Sequence, residues 1–230
     1  MTSWREYWDG PHPIYVSERH RRLHFDLIAR DIVKLFPSPQ AVVLDYGCGE
    51  AWTAADLARA CAKLYLFDTA PTVRAAVAQR VRNEPKIAVL DETALAALEP
   101  GTLDLVVVNS VLQYLSHDEL IALLDLARAK LKPSGVLALG DVIPQDANAL
   151  SDTWALLGFA AHGGFLTAAL KGIVKTVFSD YRKLREQLGL TRYSETAMIE
   201  LLRGHGFSAE RAVRNIGHNQ GRMLFLARPV

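Results

Sequence analysis

The chain has 230 residues, of which 50% are hydrophobic, and its 26 basic and 25 acidic side chains give a net charge of +1. This length suits one α/β domain with a small insertion, and the balanced charge excludes a general electrostatic attraction to nucleic acid. Two cysteines are too few for a disulfide framework, and the charged, aromatic start of the chain is unlike a signal peptide. We therefore expect a cytoplasmic protein without a nucleic-acid partner, whose oligomeric state the composition leaves open.

Residues 1–39 are expected to form an N-terminal arm followed by a helix. The arm, residues 1–16, is rich in aromatic residues: Trp4, Tyr7, Trp8 and Tyr15. Its Gly-Pro-His-Pro run at 10–13 excludes a helix there, so we predict an irregular arm. The arm can either pack against the body through apolar contacts or close its rings over a bound cation. Ser17 is a typical N-cap, and the helical pattern that follows extends to Phe36.

Residues 40–143 alternate short apolar runs with helical patterns, which predicts βαβ units and a parallel sheet. Strands are predicted at 41–46, 63–67, 86–90, 103–109 and 135–141, and helices at 51–62, 71–82 and 118–131. A polar residue stands at the end of four successive strands: Asp45, Asp68, Asp91 and Asn109. Because right-handed crossovers bring the carboxyl ends of parallel strands to one edge, a ligand site is predicted at that edge.

The segment after the first strand is a glycine loop, with Gly47 and Gly49 following Asp45. Glycine tolerates positive φ and lets the backbone approach a ligand closely. A dinucleotide-binding loop would need a small residue at position 52, where the helix packs on the strand, and this chain has Trp52. The spacing therefore argues against a nicotinamide cofactor.

With the second acid, Asp68, this order of motifs resembles the class I S-adenosylmethionine-dependent methyltransferases over residues 40 to 141. The resemblance implies a Rossmann-like, mostly parallel seven-stranded sheet with helices on both faces. It also implies S-adenosyl-L-methionine as cofactor and S-adenosyl-L-homocysteine as product. One departure is Ala51, which stands where the family often has a third glycine.

The resemblance also assigns roles to residues. The loop from Asp45 to Gly49 would surround the amino-acid part of the cofactor, Asp68 would bind both ribose hydroxyls, and Asp91 would face the adenine amino group. The end of the fourth strand would lie below the transferable methyl group. The full set of expected cofactor-binding residues is Tyr15, Asp45, Gly47, Cys48, Gly49, Asp68, Thr69, Asp91, Glu92, Asn109, Ser110 and Gln113.

Residues 144–190 interrupt the alternation and are predicted to form a helical insertion between the fifth and sixth strands. Residues 153–170 carry no formal charge and are broken by His162-Gly163-Gly164, which predicts a buried helix pair shorter than a membrane span. Residues 166–188 then show an apolar stripe at helical spacing, with basic residues mostly off it. Three interpretations remain open: a solvated face over a core stripe, a cover over an apolar acceptor, or peripheral membrane contact through 165–188.

Residues 191–230 are predicted to form a helix capped by Ser194 and an antiparallel β-hairpin with strands at 209–216 and 222–228. A terminal hairpin that closes a parallel sheet is typical of the resembled family, so the whole chain, 1–230, is expected to be a single methyltransferase domain.

Catalytic residues are expected among polar side chains near the predicted edge: His162, Tyr181 and His218. Each could remove a proton from an acceptor, although a histidine between apolar neighbours often has only a structural role. No cluster of histidines and acids suggests a metal. The predicted function is methyl transfer to the oxygen or nitrogen of a small, partly apolar acceptor. The alternatives are a catalytically inactive S-adenosylmethionine-binding module and an NAD-dependent oxidoreductase.

Overall fold

The computed structural model describes residues 3–10, 15–177, 185 and 187–230. The helices are α1 Trp4–Asp9, α2 Glu18–Val33, α3 Ala54–Arg59, α4 Pro71–Arg80, α5 Glu92–Ala96, α6 His117–Lys130, α7 Ala149–Gly163, α8 Leu166–Val177 and α9 Glu195–Gly204, with a 3-10 turn at Leu112–Tyr114. The strands are β1 Val42–Tyr46, β2 Lys63–Phe67, β3 Ile87–Leu90, β4 Leu103–Asn109, β5 Leu131–Val142, β6 Phe207–Arg211 and β7 Met223–Pro229.

The seven strands form one sheet in the order β3-β2-β1-β4-β5-β7-β6. Strands β1 to β5 pair in parallel, and β7 runs antiparallel to both of its neighbours. The predicted mostly parallel seven-stranded sheet with a terminal hairpin is therefore confirmed. The register sets Asp45 opposite Leu66 and Val107, and Asn109 opposite Gly140, so the carboxyl ends of these strands lie along one edge.

Helices cover both faces of the sheet because its central strands are apolar on both sides. On one face, Leu44 and Val106 pack under α6 and α9. On the other, Val43 and Val107 pack under α2, α3 and α4. Successive strand residues thus point into different layers, as the period of two requires.

The N-terminal arm differs from its prediction. Residues 4–9 form helix α1, whose N-cap Ser3 accepts a hydrogen bond from the N–H of Glu6. Trp4 and Tyr7 are buried against the body. The prediction of an irregular arm is wrong for this stretch, because six residues are too few to show a helical period and the helix is stabilised by tertiary packing.

The remaining boundaries shift by a few residues. Strand β5 begins at Leu131 rather than 135, and β6 ends at Arg211 rather than 216. Helix α5 and the 3-10 turn at Leu112–Tyr114 had no sequence prediction, since both are shorter than the periodicity can register.

The insertion forms two helices, α7 and α8, separated at Gly163 and Gly164, where φ of Gly164 is +70°. The helix pair is present as predicted, but its burial is incomplete: Trp154 is 66% exposed and Leu170 is 51% exposed. Residues 178–184 and 186, which include Tyr181 and part of the predicted apolar stripe, lie outside the described residues. Within the described part of the chain, no helix combines the length and apolarity that a membrane crossing requires.

Candidate functional site

The loop after β1 turns through three left-handed residues: Gly47 at φ +77°, Gly49 at +54° and Ala51 at +45°. A Cβ atom on Gly47 would lie 2.3 Å from Cγ2 of Val111, whereas one on Gly49 would meet nothing within 4 Å. Gly47 is therefore required by close packing, while Gly49 borders open space. Ala51 adopts a left-handed conformation that glycine would take more readily, so the loop makes this turn with an alanine.

Asp68 ties this loop to the end of β2. Its carboxylate accepts one hydrogen bond from the N–H of Gly49 at 2.9 Å and another from the N–H of Ala70 at 3.0 Å. The N–H groups of Gly47 and Cys48 donate to the carbonyl of Phe67 at 2.7 and 3.0 Å. Sequence reasoning missed this structural role, because a bond between Gly49 and Asp68 depends on the register of β1 against β2.

Asp45 lies at the end of β1, half-buried and next to Asp68. Burial, with a smaller contribution from the negative charge of Asp68, raises the pKa of Asp45 to about 7. None of the described residues donates a hydrogen bond to its carboxylate. An unpaired carboxylate in this position favours a cationic ligand, since a nearby positive charge stabilises the ionised form.

The ends of β4 and β5 carry a connected polar group. The Oγ of Ser110 donates to Oδ2 of Asp141 at 2.9 Å, and Nδ2 of Asn109 donates to Oγ of Ser110 at 3.1 Å. Ser110 and Asp141 have φ values of +60° and +58°, which is uncommon for residues other than glycine. Such conformations concentrate at functional sites, so their occurrence side by side points to this edge.

Two buried amide oxygens at this place, Oδ1 of Asn109 and Oε1 of Gln113, have no hydrogen-bond partner among the described residues. The opposite end of the Gln113 amide donates to the carbonyl of Ser110 at 2.9 Å, which fixes the side chain. Unsatisfied buried acceptors are costly, and a ligand that donates hydrogen bonds would satisfy them. Together with Asp45, these oxygens suit an ammonium or hydroxyl-bearing ligand.

At the end of β3 the predicted residues have structural partners. The Asp91 carboxylate caps α5 by accepting from the N–H of Ala94 at 2.7 Å, and Glu92 pairs with Arg74 at 2.9 Å. Thr69 is half-buried in the bend that leads into α4. A cavity of about 190 Å³ opens beside them between α5, α6 and the ends of β1 and β2. It is lined by Tyr46, Phe67, Glu92, Leu95, Ala96 and Leu123.

Tyr15 and His218 lie together on the side of the site formed by α2. The Tyr15 ring lies 5.6 Å from the ring of His24. Burial raises the pKa of Tyr15, and the negative charge of Glu50 in the glycine loop adds a smaller contribution in the same direction. His218 stacks on Phe159 at 4.6 Å, and burial lowers the pKa of His218 to about 4. His218 is therefore neutral at pH 7 and able to accept a hydrogen bond.

Of the other two proposed catalytic residues, the structure describes only His162. His162 is exposed near the end of α7, and its Nδ1 lies 2.8 Å from the carbonyl of Gly158 within the same helix. Tyr181 falls outside the described residues. Cys48 is a free cysteine in the glycine loop, and burial raises the pKa of its thiol well above the usual value, which leaves it unreactive at neutral pH.

Trp52, the residue that argued against a dinucleotide, is 43% exposed and lies between two guanidinium groups. Arg21 and Arg80 lie 4.4 and 4.1 Å from its ring centroid. The indole thus packs outside the contact between α3 and the sheet, as its size requires.

Asp141 and His24 are candidate site residues that the sequence reasoning did not find. Asp141 ends the fifth strand, so the argument applied to the other strand ends would have selected it. No local signal marks His24, because its neighbours come from distant parts of the chain.

Residues 44–139 match the family model of the methyltransferase domain. Three solved structures share the fold. A putative methyltransferase in complex with the Haloferax volcanii Trm112 methyltransferase activator has a TM-score of 0.63 and 12% identity, covering 100% of this chain and 99% of that chain. Magnesium protoporphyrin IX methyltransferase from Synechocystis PCC 6803, with bound S-adenosylhomocysteine, has a TM-score of 0.58 and 19% identity, covering 97% and 92%. The N-methyltransferase NodS from Bradyrhizobium japonicum WM9, also with S-adenosylhomocysteine, has a TM-score of 0.57 and 18% identity, covering 98% and 95%. No curated protein matches the chain in sequence.

At these identities the structural similarity shows the fold alone. The matched residues 44–139 show that the chain carries a methyltransferase domain, and this domain has the fold of the S-adenosylmethionine-dependent methyltransferases. The resemblance read from the glycine loop and strand ends is thereby confirmed.

Proposed function

We propose that this protein transfers a methyl group from S-adenosylmethionine to an oxygen or nitrogen of a small, partly apolar acceptor. The observation that carries the proposal is the chemistry of the strand edge. It combines the open space beside Gly49, the unpaired carboxylate of Asp45 and the partnerless oxygens of Asn109 and Gln113. A ligand with an ammonium group and a sulfonium charge fits these groups.

In this proposal, Asp45, Asp68, Asn109 and Gln113 contact the cofactor through their side chains. Asp45 and the amide oxygens of Asn109 and Gln113 accept hydrogen bonds from the amino group of the cofactor. Asp68 receives the ribose hydroxyls on the lone pairs that the N–H groups of Gly49 and Ala70 leave free. The remaining members of the proposed set are Tyr15, Gly47, Cys48, Thr69, Asp91, Glu92 and Ser110. These residues lie on or beside the loops at the carboxyl ends of β1 to β4, except Tyr15, which lies next to α2.

The cofactor supplies a methyl group already activated on sulfur, so the protein acts mainly by holding donor and acceptor in line. When the acceptor is a hydroxyl, a neutral histidine can take its proton. We assign this role to His218, because its segment is anchored at the end of β5, where Oδ1 of Asn215 accepts from the N–H of Asp141 at 3.0 Å. Burial lowers the pKa of His218 to about 4, which keeps the ring neutral and makes it a weak base. His162 stays a weaker candidate since it is exposed and bonded within its own helix.

We further propose that residues 1–230 act as one domain in the cytoplasm, with 144–190 on the acceptor side. The free cysteines Cys48 and Cys61 agree with a reducing compartment. A structural neighbour was solved with a Trm112 activator. Co-purification tests whether this chain has a corresponding protein partner. Liposome flotation tests whether residues 165–188 contact a membrane.

Calorimetric titration with S-adenosylmethionine, S-adenosylhomocysteine and NADH tests the cofactor assignment. We expect saturable binding of the first two and none of NADH. Binding of NADH alone would support the oxidoreductase alternative and overturn the proposal. Turnover of labelled S-adenosylmethionine with a panel of acceptors then separates an enzyme from an inactive binding module.

A further inference from the structure

The two helices of the insertion, α7 and α8, carry apolar side chains on two sides. Their inner side packs on α2, with Ala160, Phe165 and Ala169 buried together. Three of the seven large apolar side chains that are exposed among the described residues also belong to these helices. They are Trp154, 66% exposed, Leu166, 41% exposed, and Leu170, 51% exposed. A surface helix needs only one apolar side, so the outer side calls for a partner of its own.

The other four exposed apolar side chains show no such grouping. Trp52, Leu188, Val213 and Val230 belong to four different parts of the chain. The ring of Trp52 is moreover covered by the guanidinium groups of Arg21 and Arg80. A single exposed apolar residue is ordinary in a folded protein, whereas several on one pair of helices mark an interaction surface.

The exposed residues of each helix fall on one side of it. Residues 154, 158 and 161 recur at intervals of four and three, and residues 166 and 170 are four apart, which places each set on one side of its helix. A Cβ atom on Gly158 would meet nothing within 4 Å, so this side of α7 is open to solvent. We call the surface the insertion face. Its members are Trp154, Gly158, Ala161, Leu166, Leu170 and Lys171.

The charge beside the insertion face has one sign. Residues 153–170 carry no formal charge, and the next charges along the chain are the lysines at 171 and 175. Lys171 is exposed. The preceding acid, Asp152, is compensated within the fold, because both of its carboxylate oxygens accept from Nη2 of Arg222. Exposed apolar side chains next to uncompensated lysines complement a lipid surface, which is apolar inside and negative at its head groups.

A second copy of this chain fits the insertion face less well. Pairing about a two-fold axis would bring the same surface of both copies together. The lysines would then approach an interface to which 153–177 contributes no acid. A lipid surface instead lets the ammonium group of Lys171 stay in water while its methylene groups cover apolar surface.

We propose that the insertion face docks on the surface of a membrane that contains anionic lipids. Trp154, Leu166 and Leu170 enter the boundary between head groups and acyl chains, and Lys171 lies at the level of the phosphates. Aromatic side chains such as Trp154 are favoured at this boundary. The surface differs from the stretch 165–188 selected from the sequence, because α7 contributes to it. This inference goes beyond the proposed function and does not depend on it.

The test uses the full chain and two kinds of vesicle, phosphatidylcholine alone and phosphatidylcholine mixed with phosphatidylserine. Binding is measured by co-sedimentation and by tryptophan emission. At low ionic strength we expect binding to the anionic vesicles and several-fold weaker binding to the neutral ones. Added salt should weaken the binding, because it screens the lipid charge. The emission should move to shorter wavelength as Trp154 leaves water.

Variants of exposed residues identify the surface. Trp154→Ser should weaken vesicle binding about tenfold, since less apolar surface is buried. Lys171→Gln should weaken binding to anionic vesicles about fivefold. The matched controls lie elsewhere on the protein and should change nothing: Val213→Ser removes an exposed apolar side chain, and Arg82→Gln removes an exposed charge.

Trp154→Phe separates the binding surface from its spectroscopic signal. This variant should still bind vesicles, but the shift in emission should disappear, because Trp4, Trp8 and Trp52 lie outside the insertion face. A shift that persists in Trp154→Phe would place the lipid contact elsewhere and overturn the inference.

Three further results would also overturn it. They are the absence of binding to anionic vesicles, equal binding to both kinds of vesicle, and equal losses in Trp154→Ser and Val213→Ser. Sedimentation equilibrium tests the competing occupant: a dimer that is lost in Trp154→Ser would assign the insertion face to a second copy. Binding of S-adenosylhomocysteine should be the same in all variants, and failure of the wild-type protein to bind it would overturn the proposed function alone.

Discussion

Single residues in the glycine loop set both its shape and the space it leaves for a ligand. Gly47 and Gly49 share the left-handed conformation, yet only Gly47 packs against another side chain, Val111. Glycine is therefore needed at position 47 for packing and, in the proposed function, at position 49 to leave space for the cofactor.

Substitution of each glycine by alanine tests this difference. Gly49→Ala should lower the free energy of unfolding by about 1 kcal/mol, the cost of positive φ, but should strongly weaken binding of S-adenosylhomocysteine because the new methyl group enters the open space. Gly47→Ala adds a clash with Val111 and should cost about 2 to 4 kcal/mol. Denaturant unfolding and calorimetry measure both. Val111→Ala should restore part of the stability of Gly47→Ala; no restoration would contradict the packing argument.

Asp45 is the residue whose charge the fold disfavours. Its pKa is raised to about 7 in the folded protein, above the ordinary value of about 3.9, so the folded state binds the proton more tightly. This group therefore favours folding below pH 4, and its contribution is lost as the pH rises to 7.

Asp45→Asn should accordingly stabilise the ligand-free protein at pH 8 by about 1 to 3 kcal/mol, and by little at pH 4. The substitution should also weaken the binding of S-adenosylmethionine, because the amide carries no charge to pair with the ammonium group of the cofactor. Affinity of the wild-type protein should rise as the pH increases through 7. Thermal unfolding measures the change in stability, and calorimetry across this pH range measures the affinity. A cofactor affinity that does not change with pH would argue against contact with Asp45.

At the scale of elements, helix α1 bridges the two sides of the proposed cofactor cleft. Trp4 packs on Tyr114 after β4 with ring centroids 4.8 Å apart, and the carboxylate of Asp9 accepts from the N–H of Thr72 in α4 at 2.8 Å. Arg5 also pairs with Glu119 at the start of α6, at 3.2 Å. The helix therefore connects the β4 side to the β2 side.

Asp9→Ala removes the contact with α4 and leaves the contact with Tyr114. We expect dissociation of S-adenosylhomocysteine to become several-fold faster, with a change in unfolding free energy of no more than about 1 kcal/mol for a single exposed hydrogen bond. Stopped-flow displacement measures the rate. Asp26→Ala on the outer side of α2 is the control, and equal rates in the two variants would show that α1 does not retain the cofactor.

Helix α7 is attached to the sheet by an ion pair. Both carboxylate oxygens of Asp152 accept from Nη2 of Arg222 in the loop before β7, at 2.9 and 2.8 Å, and Oδ1 also accepts from Asn219 at 3.0 Å. The Arg222 side chain is only 12% exposed, and its Nη1 has no partner in the part of the chain that the structure describes.

Asp152→Ala leaves a mostly buried guanidinium without its carboxylate and should destabilise the protein by about 1 to 3 kcal/mol. Because the pair fixes α7, hydrogen exchange should accelerate in 149–163 before it does in the sheet. Asp56→Ala breaks an exposed pair with Arg59 and should cost less than about 1 kcal/mol. Uniform acceleration over the whole chain would contradict a local anchoring role.

For the whole molecule, buried histidines determine how stability responds to acid. Burial lowers the pKa of His24 to about 3 and that of His218 to about 4, below the value of about 6.5 in the unfolded chain. Between these values the unfolded state binds more protons, so stability falls as the pH decreases from 6.5 toward 4.

Urea unfolding should therefore show a loss on the order of a few kcal/mol between pH 7 and pH 4.5, partly offset by the opposite response of Asp45. His24→Leu should flatten this dependence, and His117→Gln should leave it unchanged. A pH profile of His24→Leu that parallels the wild-type profile would show that His24 does not titrate as described.

The sequence by itself determined the alternation of strands and helices in the core of the chain, the mostly parallel sheet and the terminal hairpin. Apolar runs that alternate with helical patterns constrain a chain to βαβ units, and right-handed crossovers then bring Asp45, Asp68 and Asn109 to one edge. These inferences depend on local periodicity and on connections between neighbouring elements, both of which a sequence displays.

Only the tertiary structure decided helix α1, the bond from Gly49 to Asp68, and the packing of His24 against His218. Trp4 meets Tyr114, and His24 meets His218, across more than a hundred positions of the chain. Such contacts depend on which faces of distant elements pack together, and no periodicity records that choice. The sequence therefore located the edge where the cofactor is proposed to bind, while packing between remote segments determined which side chains lie around that edge.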